Sequence, residues 1–412
     1  MPAGPTFVIV GASLGGARAA EALRDGGFEG QIALIGAEEH YPYERPPLSK
    51  GYLQGSAERQ SIFAHDDDWY AANAIDLRLG TSVTGIDRDL RQLALASGET
   101  IGYDKLLLTT GAEPVRLPVP GADANGVMYL RTVDDSERLR QTLASASRIA
   151  VVGAGWIGLE VAAAARHAGA AVTVIEAAEL PLLGVLGPEA ATIFLDLHRE
   201  HDVDFRLSAQ VSEIQVSADG ATGVRLADGT AIAADAVIAG IGVRPRTGLA
   251  AVAGLDVRDG IVTDAALRTS DPAVYAAGDA ALAYHPLLGT HLRVEHWSNA
   301  RHQPVAAARS MLGQEVAYDR LPYFFSDQYD LGMEYTGYVP RGGYDQVVFR
   351  GDAGKRELIV FWLSGGRVLA GMNVNVWDVT DQIGQLILDG RPVDPGRLAD
   401  PGVPLPEAAA GS

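Results

Sequence analysis

The run Gly153-Ala-Gly155-Trp-Ile-Gly158 follows an apolar stretch, RIAVVG at 148–153, and opens an alanine-rich segment at 157–168. Three glycines at this spacing do separate jobs. Gly153 permits a tight turn, Gly155 lets the backbone approach a pyrophosphate, and Gly158 lets a helix close on a strand. The N-terminus of that helix then faces the phosphates. Glu176 follows the next apolar run, AVTVI at 171–175. A carboxylate there can accept hydrogen bonds from both ribose hydroxyls and would repel a 2′-phosphate, so NADH is favoured over NADPH. Ile157 and Gly242 are expected contacts of the same nucleotide.

A second, altered copy of the pattern stands at Gly11-Ala-Ser13-Leu14-Gly15-Gly16, after TFVIVG at 6–11. Ser13 replaces the middle glycine; it is small, and its hydroxyl can bond a phosphate. The acid is displaced too. The second apolar run ends Ile35-Gly36-Ala37, so the first carboxylates are Glu38 and Glu39. Glu38 is the expected ribose ligand, a solvated loop charge being the alternative for either.

These residues need strand–turn–helix–strand units to position them, and the chain reads as two. The parallel continues in YDKLLLTTGAE at 103–113 and DAVIAGIGVR at 235–244, each followed by a proline, Pro114 and Pro245, three residues past a glycine. Segments 77–101 and 207–232 read as β-meanders with glycine turns. After about residue 320 the pattern changes to strands at 335–339, 346–350, 357–363 and 368–373, the last two joined by Gly365-Gly366, then a helix at 376–388. The fold class is therefore α/β, with two Rossmann-like dinucleotide-binding domains and a C-terminal α+β domain. The tail 401–412, rich in Pro, Ala and Gly, is expected to be disordered.

The 412 residues carry 33 Lys plus Arg against 52 Asp plus Glu, a formal charge of −19, which argues against nucleic-acid or anionic-membrane partners. No uninterrupted apolar run is long enough to span a bilayer. The first strand starts at residue 6, leaving no room for a leader, and a cytoplasmic location is expected. Cysteine is absent, which removes disulfides, thiolate metal sites and any catalytic thiol or dithiol; no metal site is expected.

Further along, Tyr43-Glu-Arg45-Pro-Pro-Leu-Ser-Lys50 resembles a signature of the bacterial ferredoxin reductases that serve cytochrome P450 and Rieske-type oxygenases. Thr110-Gly111-Ala112, Val274-Tyr-Ala-Ala-Gly278-Asp279, Glu295-His-Trp297 and Ser326-Asp-Gln328-Tyr329 are similar to further segments of that family, in family order over nearly the whole chain. The resemblance implies a glutathione-reductase-like fold, with FAD as cofactor and NADH as electron donor. It also implies an FAD domain split into 1–112 and 246–321, an NAD domain at 113–245, and a C-terminal domain at 322–400.

The same resemblance assigns roles. Lys50 and Glu160 are placed beside the flavin N5 as a charge-balanced pair that holds the nicotinamide pocket. Asp279 bonds the ribityl chain or pyrophosphate edge, and equally suits a helix N-cap. Arg45 reaches the FAD phosphate–adenosine region. Thr110 and Gly111 form a close-approach turn, and Val83 is a further FAD contact. Trp297 packs near the isoalloxazine, although an aromatic alone reads as core. Glu295 touches backbone or flavin in the same turn, and His296 has no assigned role.

The family's usual Trp before Ser-Asp-Gln is Phe325, which keeps the ring and loses the indole donor. Two positions commonly Arg are Leu180 and Gly184, which predicts weaker NADH binding. The implied partner is a [2Fe–2S] ferredoxin feeding a P450 or Rieske-type oxygenase, docked on a local basic patch for which Arg301 and Arg309 are candidates. Rubredoxin, a quinone, a radical or oxygen are alternative acceptors. A redox-sensing interaction flavoprotein, resembling apoptosis-inducing factor, is an alternative of another class.

Overall fold

The computed structural model describes residues 4–408. The chain divides into two compact units. The first comprises residues up to Arg45, Glu58–Glu113 and Val243–Arg320; the second comprises Pro46–Ala57, Pro114–Gly242 and the chain from Leu321 onward.

The first unit is built on five parallel strands in the order Val274–Ala276, Lys105–Leu108, Thr6–Val10, Gln31–Ile35, Ile75–Arg78. These strands are apolar almost throughout, as a sheet covered on both faces requires. One face packs on the helix Leu14–Asp25 and, beside it, Trp297–Met311, burying Leu23, Ala307 and Met311. The other face buries Val8, Ile35 and Leu106 against Leu93 and Leu95 of a three-stranded meander, Val83–Asp87, Gln92–Leu95 and Thr100–Gly102.

In the second unit, five parallel strands run in the order Val203–Arg206, Ala171–Ile175, Arg148–Val152, Ala236–Ala239, Val127–Met128. The helix Trp156–His167 packs on this sheet, and Leu183–Glu200, kinked at Gly187-Pro188, lies in the same core. The C-terminal part is an antiparallel sheet in the order Tyr323–Gln328, Leu331–Gly337, Arg367–Val374, Glu357–Ser364, Gln346–Asp352, with the helix Thr380–Asp389 against it. The Gly365-Gly366 hairpin forms as expected: both residues have positive φ, and Ser364 pairs with Arg367.

Two features go beyond the sequence reading. The parallel sheet and the C-terminal sheet fall in one compact unit, because Phe194, Leu186, Phe324, Tyr335 and Trp362 share a single apolar core. The Trp362 indole also donates to the carbonyl of Leu186 at 3.0 Å. The tail is a correction. Residues 401–408 are ordered, ending in a 3-10 turn, Leu405–Ala408, whose end residues are buried. Arg350 holds this segment by donating to the carbonyls of Asp400 at 2.6 Å and Val403 at 2.7 Å. A composition-based expectation misses such a tether, since the arginine lies about fifty positions upstream. Residues 409–412 lie outside the described residues.

Candidate functional site

In the first unit the strand Thr6–Val10 ends at Gly11, whose φ of +120° suits only glycine, and a Cβ there would sit 2.2 Å from the Thr109 carbonyl oxygen. A Cβ on Gly16 would sit 2.2 Å from the Gly11 carbonyl oxygen. Strand, turn and helix are thus closed to backbone contact. Ser13 occupies the helix N-cap in an extended conformation and makes no side-chain capping bond, and Leu14 is buried in the first turn. The hydroxyl and the first-turn N–H groups suit an anion.

Glu38 does not stand as a solvated loop charge. Its carboxylate accepts from Arg45 at 3.1 Å and from the Tyr43 hydroxyl. Thr110 donates its hydroxyl to the Arg246 carbonyl at 2.7 Å, and Gly111, at φ +68°, accepts from the Arg246 N–H at 2.9 Å. Val83 opens the meander, half-buried. Gly278 starts the 3-10 turn that carries Asp279, and its N–H is held by the Gln303 side chain at 2.7 Å. A Cβ on Gly278 would meet nothing within 4 Å, so this turn is open on that side. Burial pushes His296 down to about 4, with Asp279 opposing the shift. Trp297 begins its helix, donates to Glu44 at 3.2 Å and carries the Arg301 guanidinium over its ring. Glu295 pairs with Arg293. Two backbone-tight glycines, a free helix N-terminus and an acid–arginine pair after the second strand fit the adenosine–diphosphate end of FAD.

The cradle in the second unit is closed in the same way. Gly153 has φ +100°, a Cβ there would lie 2.5 Å from the Gly240 carbonyl oxygen, and one on Gly158 would lie 2.0 Å from that of Gly153. Gly155 is the N-cap of Trp156–His167, with nothing within 4 Å of a Cβ, so that side of the loop is open. The Glu176 carboxylate is fixed at the mouth of the loop by the N–H groups of Ala154 at 2.6 Å and Ala178 at 2.9 Å. Gly242, at φ +112°, is exposed. Ile157 is also exposed, as is Ile241, which the sequence reading did not single out; its signal is a large aliphatic left in water next to a glycine cradle.

The same helix presents Glu160, which is 3% exposed. Its carboxylate accepts from the Lys50 ammonium at 2.7 Å, the Ser49 hydroxyl at 2.5 Å and the Ser326 hydroxyl at 2.6 Å. Lys50 lies at the start of the short helix Gly51–Gln54, with its ammonium 5.3 Å from the centre of the Phe325 ring. Lys50 and Glu160 are therefore brought together as expected, although they stand 110 positions apart in the sequence. Ser49 and Ser326 as ligands of the carboxylate were not foreseen. Period-2 alternation on Tyr323–Gln328 turns Phe324, Ser326 and Gln328 inward.

Behind Ser326 lies His198, fully buried and pushed down to about 4 by desolvation. Its ordinary value is 6.5, so between these limits the unfolded chain binds the extra proton. The stability this histidine contributes is present above about 6.5 and lost as pH falls through the window. The expected cost is about 2 kcal/mol between about pH 7 and about pH 5. Urea titrations at both pH values should show His198→Asn losing less stability on acidification than wild type; equal losses contradict the assignment.

The comparisons with known proteins agree with this geometry. The pyridine nucleotide-disulphide oxidoreductase family model matches residues 5–303, and the reductase C-terminal model matches residues 323–409. The chain belongs to the pyridine nucleotide-disulphide oxidoreductases, FAD-binding proteins that take electrons from NAD(H). Within them it belongs with the ferredoxin–NAD(+) reductases of oxygenase systems. It is 41% identical to putidaredoxin reductase of Pseudomonas putida, over 100% of this chain and 98% of that protein. It is 43% identical to the ferredoxin–NAD(+) reductase component of the anthranilate 1,2-dioxygenase system of Burkholderia cepacia, over 97% and 98% of the two chains. The crystal structure of the covalent putidaredoxin reductase–putidaredoxin complex superposes with a TM-score of 0.95, at 41% identity and 98% coverage of each chain. The enzyme is thus an oxidoreductase, of a family whose name refers to a disulphide that a chain with no cysteine cannot form. Among the described residues, no helix is long and apolar enough to cross a membrane.

Proposed function

We propose that this enzyme takes hydride from NADH and passes single electrons to a [2Fe–2S] ferredoxin, which feeds a cytochrome P450 or Rieske-type oxygenase in the cytoplasm. One observation carries the reading: two dinucleotide cradles coexist in a chain with no cysteine. Electrons received from a nicotinamide have no thiol route out and must leave for an external acceptor. The relatives that match end to end are named for that acceptor. Bound FAD supplies two-electron acceptance and one-electron release.

The chain's own residues supply the rest. Gly11, Ser13, Leu14, Gly16, Thr110 and Gly111 close on the flavin nucleotide, and Glu38 holds its ribose while Arg45 holds Glu38. Asp279, Glu295, Trp297 and Val83 complete that site. Gly153, Gly155, Ile157, Gly158 and Gly242 seat the nicotinamide nucleotide, and Glu176 receives its ribose hydroxyls. Lys50 and Glu160 would serve the hydride transfer as a fixed ion pair that stabilises developing charge without reorganising. The exposed Arg309 and the half-buried Arg301 begin the docking patch for an acidic partner.

Leu180 is half-buried, and a Cβ on Gly184 meets nothing within 4 Å, so neither position supplies a basic group to the nucleotide although Gly184 has room for one. Leu180→Arg should lower the NADH Michaelis constant by about tenfold, the worth of one charged hydrogen bond; an unchanged constant would sink that assignment. The function itself is tested by NADH-dependent cytochrome c reduction with and without a [2Fe–2S] ferredoxin. A large ferredoxin-dependent gain is expected, and no gain with several ferredoxins rejects the proposal.

A further inference from the structure

Glu160 is the end point of a buried chain of hydrogen bonds that crosses three elements of the second unit. A carboxylate can only accept, so the Ser326 hydroxyl donates to it at 2.6 Å. With its proton committed, the Ser326 oxygen accepts from the Gln328 amide nitrogen at 3.1 Å. The Gln328 carbonyl oxygen is then left to accept from His198 Nε2 at 2.8 Å. That bond fixes His198 as the Nε2–H tautomer, and its Nδ1 faces the Tyr329 hydroxyl at 3.4 Å. Every donor in the series points towards Glu160.

Ser326 and His198 are 0% exposed and Gln328 is 1% exposed. Burying three polar side chains is costly unless each is hydrogen-bonded, and here each finds its partner within the series. Aligned dipoles in a site that excludes water reinforce one another. The direction of the series is set at one end by the carboxylate and at the other by a histidine that burial keeps neutral. A proton cannot run along it, because the Gln328 amide would have to pass through its imidic acid form. What the series can do is hold orientation.

We propose that Ser326, Gln328 and His198 are positioning residues that lock the Glu160 carboxylate in the rotamer that receives Lys50. The proposal rests on the reading of Glu160 as a member of the hydride-transfer site. It predicts that the lock matters to the rate at saturating NADH rather than to NADH affinity, because none of the three residues belongs to the nucleotide cradle.

The test compares wild type with Ser326→Ala, Gln328→Glu and Glu160→Gln in the FAD-loaded protein. Gln328→Glu keeps the volume, but an ionised carboxylate cannot donate, so the Ser326 hydroxyl is drawn away from Glu160. Both Ser326→Ala and Gln328→Glu should slow flavin reduction at saturating NADH by about tenfold, one charged hydrogen bond. The NADH dissociation constant should hold steady, and Ser326→Thr, which returns the hydroxyl, should recover most of the rate. Nitrogen-15 NMR of the imidazoles, assigned with His198→Asn, supplies a readout independent of turnover. Wild type should show His198 as pure neutral Nε2–H tautomer, Ser326→Ala a mixture of tautomers, and Gln328→Glu the imidazolium.

Wild-type rates in Ser326→Ala and Gln328→Glu, with Glu160→Gln impaired, would overturn the lock and leave the hydride-transfer reading intact. A wild-type rate in Glu160→Gln would overturn both.

Discussion

Glu160→Gln is expected to slow reduction of the bound flavin by NADH about a hundredfold, the scale of losing one preorganised charge at a reacting centre. The substitution keeps volume and removes charge. One carboxylate oxygen becomes an amide nitrogen, a donor facing groups that already donate: Ser49, Lys50 or Ser326. The Lys50 ammonium loses a charged partner 2.7 Å away, in surroundings that include the Phe325 ring. Breaking a buried pair on one side costs about 3–5 kcal/mol of stability, because the remaining charge stays desolvated. The variant should therefore show two separable defects, in rate and in melting temperature. Stopped-flow flavin bleaching measures the first and thermal unfolding the second. A slow rate with an unchanged melting temperature would mean that Lys50 finds water readily and that the pair is not a buried one.

Glu176→Ala should shift nucleotide preference by about a hundredfold, read as the ratio of kcat/KM for NADH to that for NADPH. Two effects add. NADH loses an acceptor for its ribose hydroxyls, and the 2′-phosphate of NADPH loses a facing carboxylate. The geometry makes the effect large, because Glu176 is already immobilised by the N–H groups of Ala154 and Ala178 and need not be ordered on binding. If the ratio stays within a factor of about two, a change too small to reflect a charged contact, discrimination resides elsewhere on the loop.

The two glycine cradles were legible because their geometry is local. Gly11, Gly16, Gly153 and Gly158 answer to backbone atoms a few residues away or on the adjoining strand, and the spacing of the glycines records that. Glu176 was legible for the same reason. Lys50 and Glu160 were not pairable from spacing alone, and only the family resemblance joined them. The strand Tyr323–Gln328 escaped the periodic reading altogether, since three polar residues in a row break an apolar alternation. Beside Phe324 its inward face carries Ser326 and Gln328, whose partners are Glu160 and His198, 166 and 130 positions away. The tail 401–408 was misread for a related reason: a Pro- and Ala-rich stretch looks unanchored until Arg350 and the buried Leu405 are seen. In each case local chemistry was readable, and satisfaction of polar groups by distant chain was not.

The most direct test of the account counts electrons. FAD-loaded enzyme, held without oxygen, is given a limiting amount of NADH and an excess of oxidised [2Fe–2S] ferredoxin. The account predicts two ferredoxins reduced for each NADH consumed, at a rate that falls with Glu160→Gln. NADH consumed with no ferredoxin reduced, and electrons recovered instead only when a quinone or oxygen is supplied, would contradict it.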